Sequence, residues 1–499
     1  MPTKLVVIGD SLSQGVISGS ITKTKVSYPA LIAEALGLEP IKVPQSRNEN
    51  HFLVPDFEGE GGLPVNMENI LRLLVKRYGQ KVSWLDVFPA FLSVRSLFDR
   101  VEDYWERGEG TKPSPTGPIH HNLAALGFQL GDCDTITEAI SRENIPESQD
   151  DFVGQIPEFA MYRTARRTLN PRFEKRYENL SQVEAAKALA EESGGIENLI
   201  FWLGSNNCLS TVINLKMKWS SEADLNKLAH QRTNNIWRPE DFQKLLTRIA
   251  PKIDEIGAKN VFVGTIPHVT IPPVSRGVSP GKIGDEALSA DGYFEYYTHF
   301  WIWDEDFAKA PRNFPHLTRE QAREIDNVID QYNSAIAAEA EKRGWYAVDI
   351  CSALDRIAFR RRQGAIAYNF PPELIAALKA NPATKDRVTA EGRVLLDTRY
   401  LHLDLDNPNP LQKYEGGLFG IDGFHPTTVG YGLIAHEFLQ VMKQATDTQP
   451  LNWDKIVAAD SLLVDPPLNL EHLRSTLGFL YHRTPLLKII EVVGGTLTS

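Results

Sequence analysis

Leu5-Val-Val-Ile8-Gly9-Asp10-Ser11-Leu12-Ser13 stands near the start of the chain and decides how the rest is read. Four apolar residues end at a glycine. The run is too short for a membrane span or a signal-peptide core. A short apolar run bounded by turn residues is the pattern of a strand buried on both faces. Gly9 permits a tight turn. A helical pattern follows at 27–36, with Ser27 as candidate N-cap and Gly37 just past its end. Strand, turn and helix in that order put Ser11 at the carboxyl end of a strand, where open α/β sheets bind ligands. An Asp-Ser pair after a strand also serves as an ordinary turn or cap, so the tripeptide alone establishes no chemistry.

Working outward, short apolar runs predict further strands at 119–126, 198–203, 260–263 and 345–350. Helical patterns lie around 178–192 and 240–256. Another helix opens with Thr318 and Gln321 as a capping box and closes at Gly344, and a last one follows Pro426-Thr-Thr428. Alternating strands and helices predict a three-layer α/β/α fold with a central parallel sheet. Stretches at 40–115, 130–175, 207–235, 267–317 and 352–415 read as long insertions into one domain spanning 1–445. Residues 446–499 read as a C-terminal extension.

Hydrophobic residues make up 42% of the 499 and charged residues 23%, which suits a globular protein with ample core. The formal net charge of -11 argues against nucleic acid or an anionic membrane as the main partner. Three cysteines are no disulfide framework. With no apolar segment of spanning length, the expectation is a soluble cytoplasmic protein.

The second informative stretch is Asp422-Gly423-Phe424-His425-Pro426-Thr427. A serine hydroxyl becomes a useful nucleophile when a base removes its proton. Histidine is the usual base, and a carboxylate on its other nitrogen holds the right tautomer. An aspartate three residues before a histidine can place both on one side of a loop. An Asp-Gly turn leading into a helix explains Asp422 and Gly423 as well, but gives His425 no task.

Gly-Asp-Ser-Leu near one end and Asp-Gly-x-His-Pro-Thr near the other resemble the GDSL or SGNH hydrolase family. Two intermediate blocks are similar too: residues 121–127, ending in Gly127, and Gly204-Ser205-Asn206-Asn207, where the family usually has aspartate at the position of Asn207. The resemblance implies a flavodoxin-like fold and a serine esterase or lipase that cleaves carboxylic esters through an acyl-serine. Ser11 would be the nucleophile and His425 the base, oriented by Asp422. The oxyanion hole would comprise the N–H groups of Ser11 and Gly127 and the amide of Asn206. The implied substrate is a small-molecule or lipid ester, and no cofactor is implied. An acyltransferase with the same triad, or a non-catalytic binding module on the same fold, stays open.

Other motifs are set aside. Gly277-Val-Ser279-Pro-Gly281 has the form of a nucleophile elbow, but its flanks read as loop instead of strand and helix. Gly281-Lys282 lacks P-loop spacing, and Ile283 stands where Ser or Thr is required. His120 and His121, adjacent on a strand, point to opposite faces. Asp404-Leu-Asp406-Asn407 reads as a solvated turn. No catalytic metal is expected.

Overall fold

The computed structural model describes residues 2–43, 50–79, 87–116, 119–147, 159–282, 287–358, 367–404 and 406–472, without the side chains of 87–92. Four parallel strands form the central sheet: β1 (Thr3–Gly9), β2 (Ile196–Trp202), β3 (Asn260–Gly264) and β4 (Tyr346–Val348), adjacent in that order. The principal helices are α1 (Tyr28–Ala35), α2 (Gln182–Ser193), α3 (Pro239–Asp254), α4 (Arg319–Arg343), α5 (Ile350–Ile357), α6 (Thr428–Met442) and α7 (Trp453–Ala459).

The sheet is covered on both faces because successive strand residues point to opposite sides. Val6, Ile8, Leu199, Phe201, Val261 and Val263 enter one core, with apolar residues of α2, α3 and α4. Leu5, Val7, Ile200, Trp202 and Phe262 enter the other, with α1, α5, α6 and α7. Side chains buried on both faces explain why these strands read as continuous apolar runs.

Several boundaries shift for local reasons. Residue Ser27 does sit at the N-cap of α1, but its hydroxyl donates to the Thr24 carbonyl instead of capping. The helix expected from 178 begins at Gln182, where Ser181 and Glu184 form a capping box. Residues 119–126 run alongside β1 and bond to it through Val7, His121, Leu123 and Gly9, but only Asn122 forms a bridge. Its side-chain oxygen accepts from Ala124 N at 3.2 Å, a local bond on the edge away from β1.

The stretches read as insertions contribute to the cores. Tyr368, Leu374, Leu378 and Leu396 belong to the second core. Residues 446–472 do as well: Trp453, Ile456, Val457 and Leu463 are buried in it, each worth about 1.5–3 kcal/mol if fully buried. Residues 473–499 lie outside the described residues. Val101 and Trp105 close a small core with Phe57, Leu63, Val16 and Ile21. The apolar sequence at 82–98 predicts either a small core of its own or a wall of a pocket beside Ser11, and Phe88 and Phe91, on which that choice turns, lie outside the described side chains. Among the described residues no helix is long and apolar enough to cross a membrane.

Candidate active site

Strand β1 delivers Ser11 through a constrained turn. A Cβ at Gly9 would lie 2.1 Å from Ser13 Oγ, so only glycine fits there. Asp10 caps the one-turn helix Ser11–Gln14 by accepting from Leu12 N at 3.0 Å. Gln182 anchors the strand end from below, its amide donating to the carbonyls of Gly9 and Leu123 at 2.8 and 2.7 Å. Ser11 itself is buried.

The second half of the site folds around one carboxylate. Asp422 Oδ1 accepts from Phe424 N and His425 N at 3.1 and 3.0 Å, and Oδ2 accepts from Gly19 N and from His425 Nδ1, the latter at 2.8 Å. Gly423 takes a positive φ of 79°, which lets the chain fold back over the aspartate. A carboxylate only accepts, so Nδ1 carries the proton and Nε2 presents its lone pair. Nε2 is buried and has no hydrogen-bond partner among the described residues, Ser11 Oγ included.

Ser11, Asn206 and His425 line one cavity of about 910 Å³, its open mouth included. The loops after all four central strands contribute to it: Ser11 after β1, Asn206 after β2, His268 after β3 and Ile350 after β4. Its remaining wall is largely apolar, with Leu12, Trp202, Leu354, Phe419 and Ile434 among the lining residues beside the polar Asp10, Ser205 and Glu437. Asp422 stands behind His425, outside the lining.

Asn206 Nδ2 donates to Phe128 O at 2.9 Å and more weakly to Asp10 Oδ2 at 3.4 Å. The first bond positions the amide, and the long second one leaves a hydrogen that a better acceptor can capture. Asn207 points elsewhere: it is fully buried, and its Oδ1 accepts from Leu130 N at 2.9 Å. Gly127 has a φ of 78° beside Met161 and is not among the lining residues. Its neighbours are pinned to the site, Leu126 N on Gln14 Oε1 at 3.0 Å and Phe128 O on Asn206.

Burial pushes Asp10 up to about 7, against the Leu12 N–H that favours its charged form. An unfolded aspartate ionises near ~3.9. Between those values the unfolded chain has lost a proton that the folded chain keeps. Stability therefore falls as pH rises from about 4 to about 7 and then levels off. Asp10→Asn is expected to lack this slope. In denaturant titrations from about pH 4 to pH 8, wild type should lose about 3–4 kcal/mol more than the variant. Parallel profiles would contradict the assignment.

Ser279 Oγ donates to Ala287 O and accepts from Glu295 N, so it is a structural hydroxyl. The segment before it is a strand, Ser275–Val278, paired antiparallel with Tyr296–His299, not the loop expected from sequence; no helix among the described residues follows at once. Ile283 lies outside the described residues. His120 Nδ1 bonds to the Thr168 carbonyl and His121 Nδ1 accepts from Leu53 N; burial lowers both rings to about 4, so both are neutral near pH 7. Asn407 N bonds to the Asp404 carbonyl, forming a turn.

Sequence reading missed one constellation at the cavity wall. His268 Nδ1 lies 2.9 Å from Asp355 Oδ1 and 3.6 Å from Cys351 Sγ, and Nε2 lies 3.1 Å from Asp330 Oδ1. Burial alone would lower His268; its hydrogen bonds to Asp355 and Cys351, with Asp326 nearby, raise it to about 11. The legible signal was Cys351 and Asp355 four residues apart in a helical pattern, which puts them on one face. Nothing local tied them to His268.

No family model and no curated protein matches this chain.

Proposed function

We propose that this protein is a serine ester hydrolase of the GDSL or SGNH kind, with Ser11 as nucleophile. One observation carries the reading: Ser11, Asn206 and His425 line a single, largely apolar cavity, and Asp422 is bonded behind the imidazole whose Nε2 has no partner among the described residues. The fold supports it as well. Counting 119–126 as a second strand beside β1, the order becomes 2-1-3-4-5, that of flavodoxin-like sheets, with the cavity at their carboxyl ends.

In the proposed reaction His425 Nε2 takes the Ser11 proton as Oγ attacks the ester carbonyl. The carbonyl π pair moves onto oxygen, which the Asn206 amide and the Ser11 N–H stabilise. Collapse expels the alcohol, protonated by His425, and leaves an acyl-serine. Water, deprotonated by His425, then releases the acid. The apolar wall suits an acyl chain of several carbons. Each buried methylene contributes up to about 0.8 kcal/mol, so kcat/KM should climb over the first carbons of a p-nitrophenyl ester series. The decisive experiment is labelling with a fluorophosphonate followed by peptide mapping. Adduct on Ser11 is the expected result; adduct on Ser279, or none on a folded protein, overturns the reading.

The two asparagines separate chemistry from structure. Asn206→Ala should lower kcat by about 10²–10³ with little change in KM, because its amide matters most once charge develops. Asn207→Ala should leave kcat of the folded enzyme near wild type. It should cost about 1–3 kcal/mol of stability, since the buried Leu130 N–H loses its acceptor. Steady-state kinetics beside denaturant titrations check both, and exchanged effects would show the roles reversed.

A further inference from the structure

We propose that His268, Cys351 and Asp355 form a binding site for a thiophilic divalent cation of the zinc class. The inference does not depend on the hydrolase reading.

The donor set is the first argument. Thiolate, imidazole and carboxylate are the groups that zinc selects, and together they are a poor match for magnesium or calcium. Each residue offers one ligand atom, and the three atoms lie within 4.8 Å of one another. Tetrahedral zinc with bonds of about 2.0–2.3 Å needs ligands roughly 3.3–3.7 Å apart. Cys351 Sγ and His268 Nδ1 already stand at 3.6 Å. The Asp355 oxygens, at 2.9 and 3.1 Å from Nδ1, need to move outward by about half an ångström, within reach of side-chain rotation.

The surroundings of the ring are the second, independent argument. A metal-binding histidine usually donates its other N–H to a carboxylate, which fixes the tautomer and orients the ring. Asp330, projecting from α4, occupies that position at 3.1 Å from Nε2. With Nε2–H committed to Asp330, Nδ1 faces the Asp355 carboxylate and the Cys351 sulfur, and the thiol gives up its proton when a metal binds. A cation at Nδ1 satisfies all three; a second ring proton is the competing arrangement. Access exists, because the Asp330 and Asp355 side chains are 62% and 32% exposed while Cys351 is buried. Three protein ligands leave one position for water. Binding would tie α5 to the loop after β3, which form adjoining parts of the cavity wall.

The test uses the full chain, stripped with a chelator and titrated with Co²⁺. One equivalent should bind, with a thiolate-to-cobalt charge-transfer band that Zn²⁺ abolishes. Cys351→Ser should lose the band, while Cys133→Ser and Cys208→Ser keep it. Asp330→Asn should weaken binding by about 10–100-fold. A native-chain measurement guards against misfolded variants: Zn²⁺ should slow alkylation of Cys351, read by mass spectrometry. No saturable band, a band that survives Cys351→Ser, or an alkylation rate indifferent to Zn²⁺ overturns the site and leaves the doubly protonated ring.

Discussion

Ester hydrolysis by Ser11→Ala is expected to fall by about 10⁴–10⁶-fold, to what binding and oxyanion donors sustain alone. The loss should fall on kcat, since the hydroxyl acts in bond formation and contributes little to holding the acyl chain. The fold should survive. Ser11 holds its place through its backbone carbonyl, which accepts from Gly15 N and Val16 N at 3.1 and 3.2 Å. Removing one oxygen from this buried position leaves the Asp10 cap and the Gln182 anchor in place. Kinetics on the series of p-nitrophenyl esters, with a thermal melt on the same sample, make the test. A well-folded Ser11→Ala protein with wild-type turnover would refute the nucleophile assignment.

His425→Ala should cost nearly as much, and the double variant with Ser11→Ala should be no worse than either alone, because nucleophile and base act as one unit. Asp422→Asn should cost less in kcat, about 10²–10⁴, since it disturbs the tautomer and leaves the base present. It should also destabilise the protein by about 1–3 kcal/mol. Asp422 accepts from Gly19, Phe424 and His425 backbone N–H groups as well as the imidazole, and an amide cannot accept at both of its ends. Steady-state rates and denaturant midpoints separate the two effects. A His425→Ala enzyme with wild-type turnover would remove the base from the mechanism.

The sequence by itself determined what depends on neighbours along the chain. The apolar run at Leu5–Ile8 and its counterparts in β2 and β3 are strands because residues buried on both faces must all be apolar. The capping box of Thr318 with Gln321 and the αL glycine at 344 bound α4 as read, because caps act within one turn. Asp422 and His425 meet because three residues and a glycine turn are enough to bring them together.

Tertiary structure alone decided the rest. Gly19 reaches Asp422 across 403 residues, and Asn206 reaches Asp10 across 196. No periodicity records such pairings, since they arise where loops from separate strands converge at one sheet edge. The segment at 119–126 keeps its backbone bonds to β1 through His121, Leu123 and Ala125, while on its other edge the Asn122 side chain takes up Ala124 N. The supposed insertions and residues 446–472 belong to the cores because burial is settled by what packs against a residue, which composition does not specify. The cavity wall and the meeting of His268 with Cys351 and Asp355 follow from the same cause: side chains far apart in sequence become neighbours only when the sheet assembles.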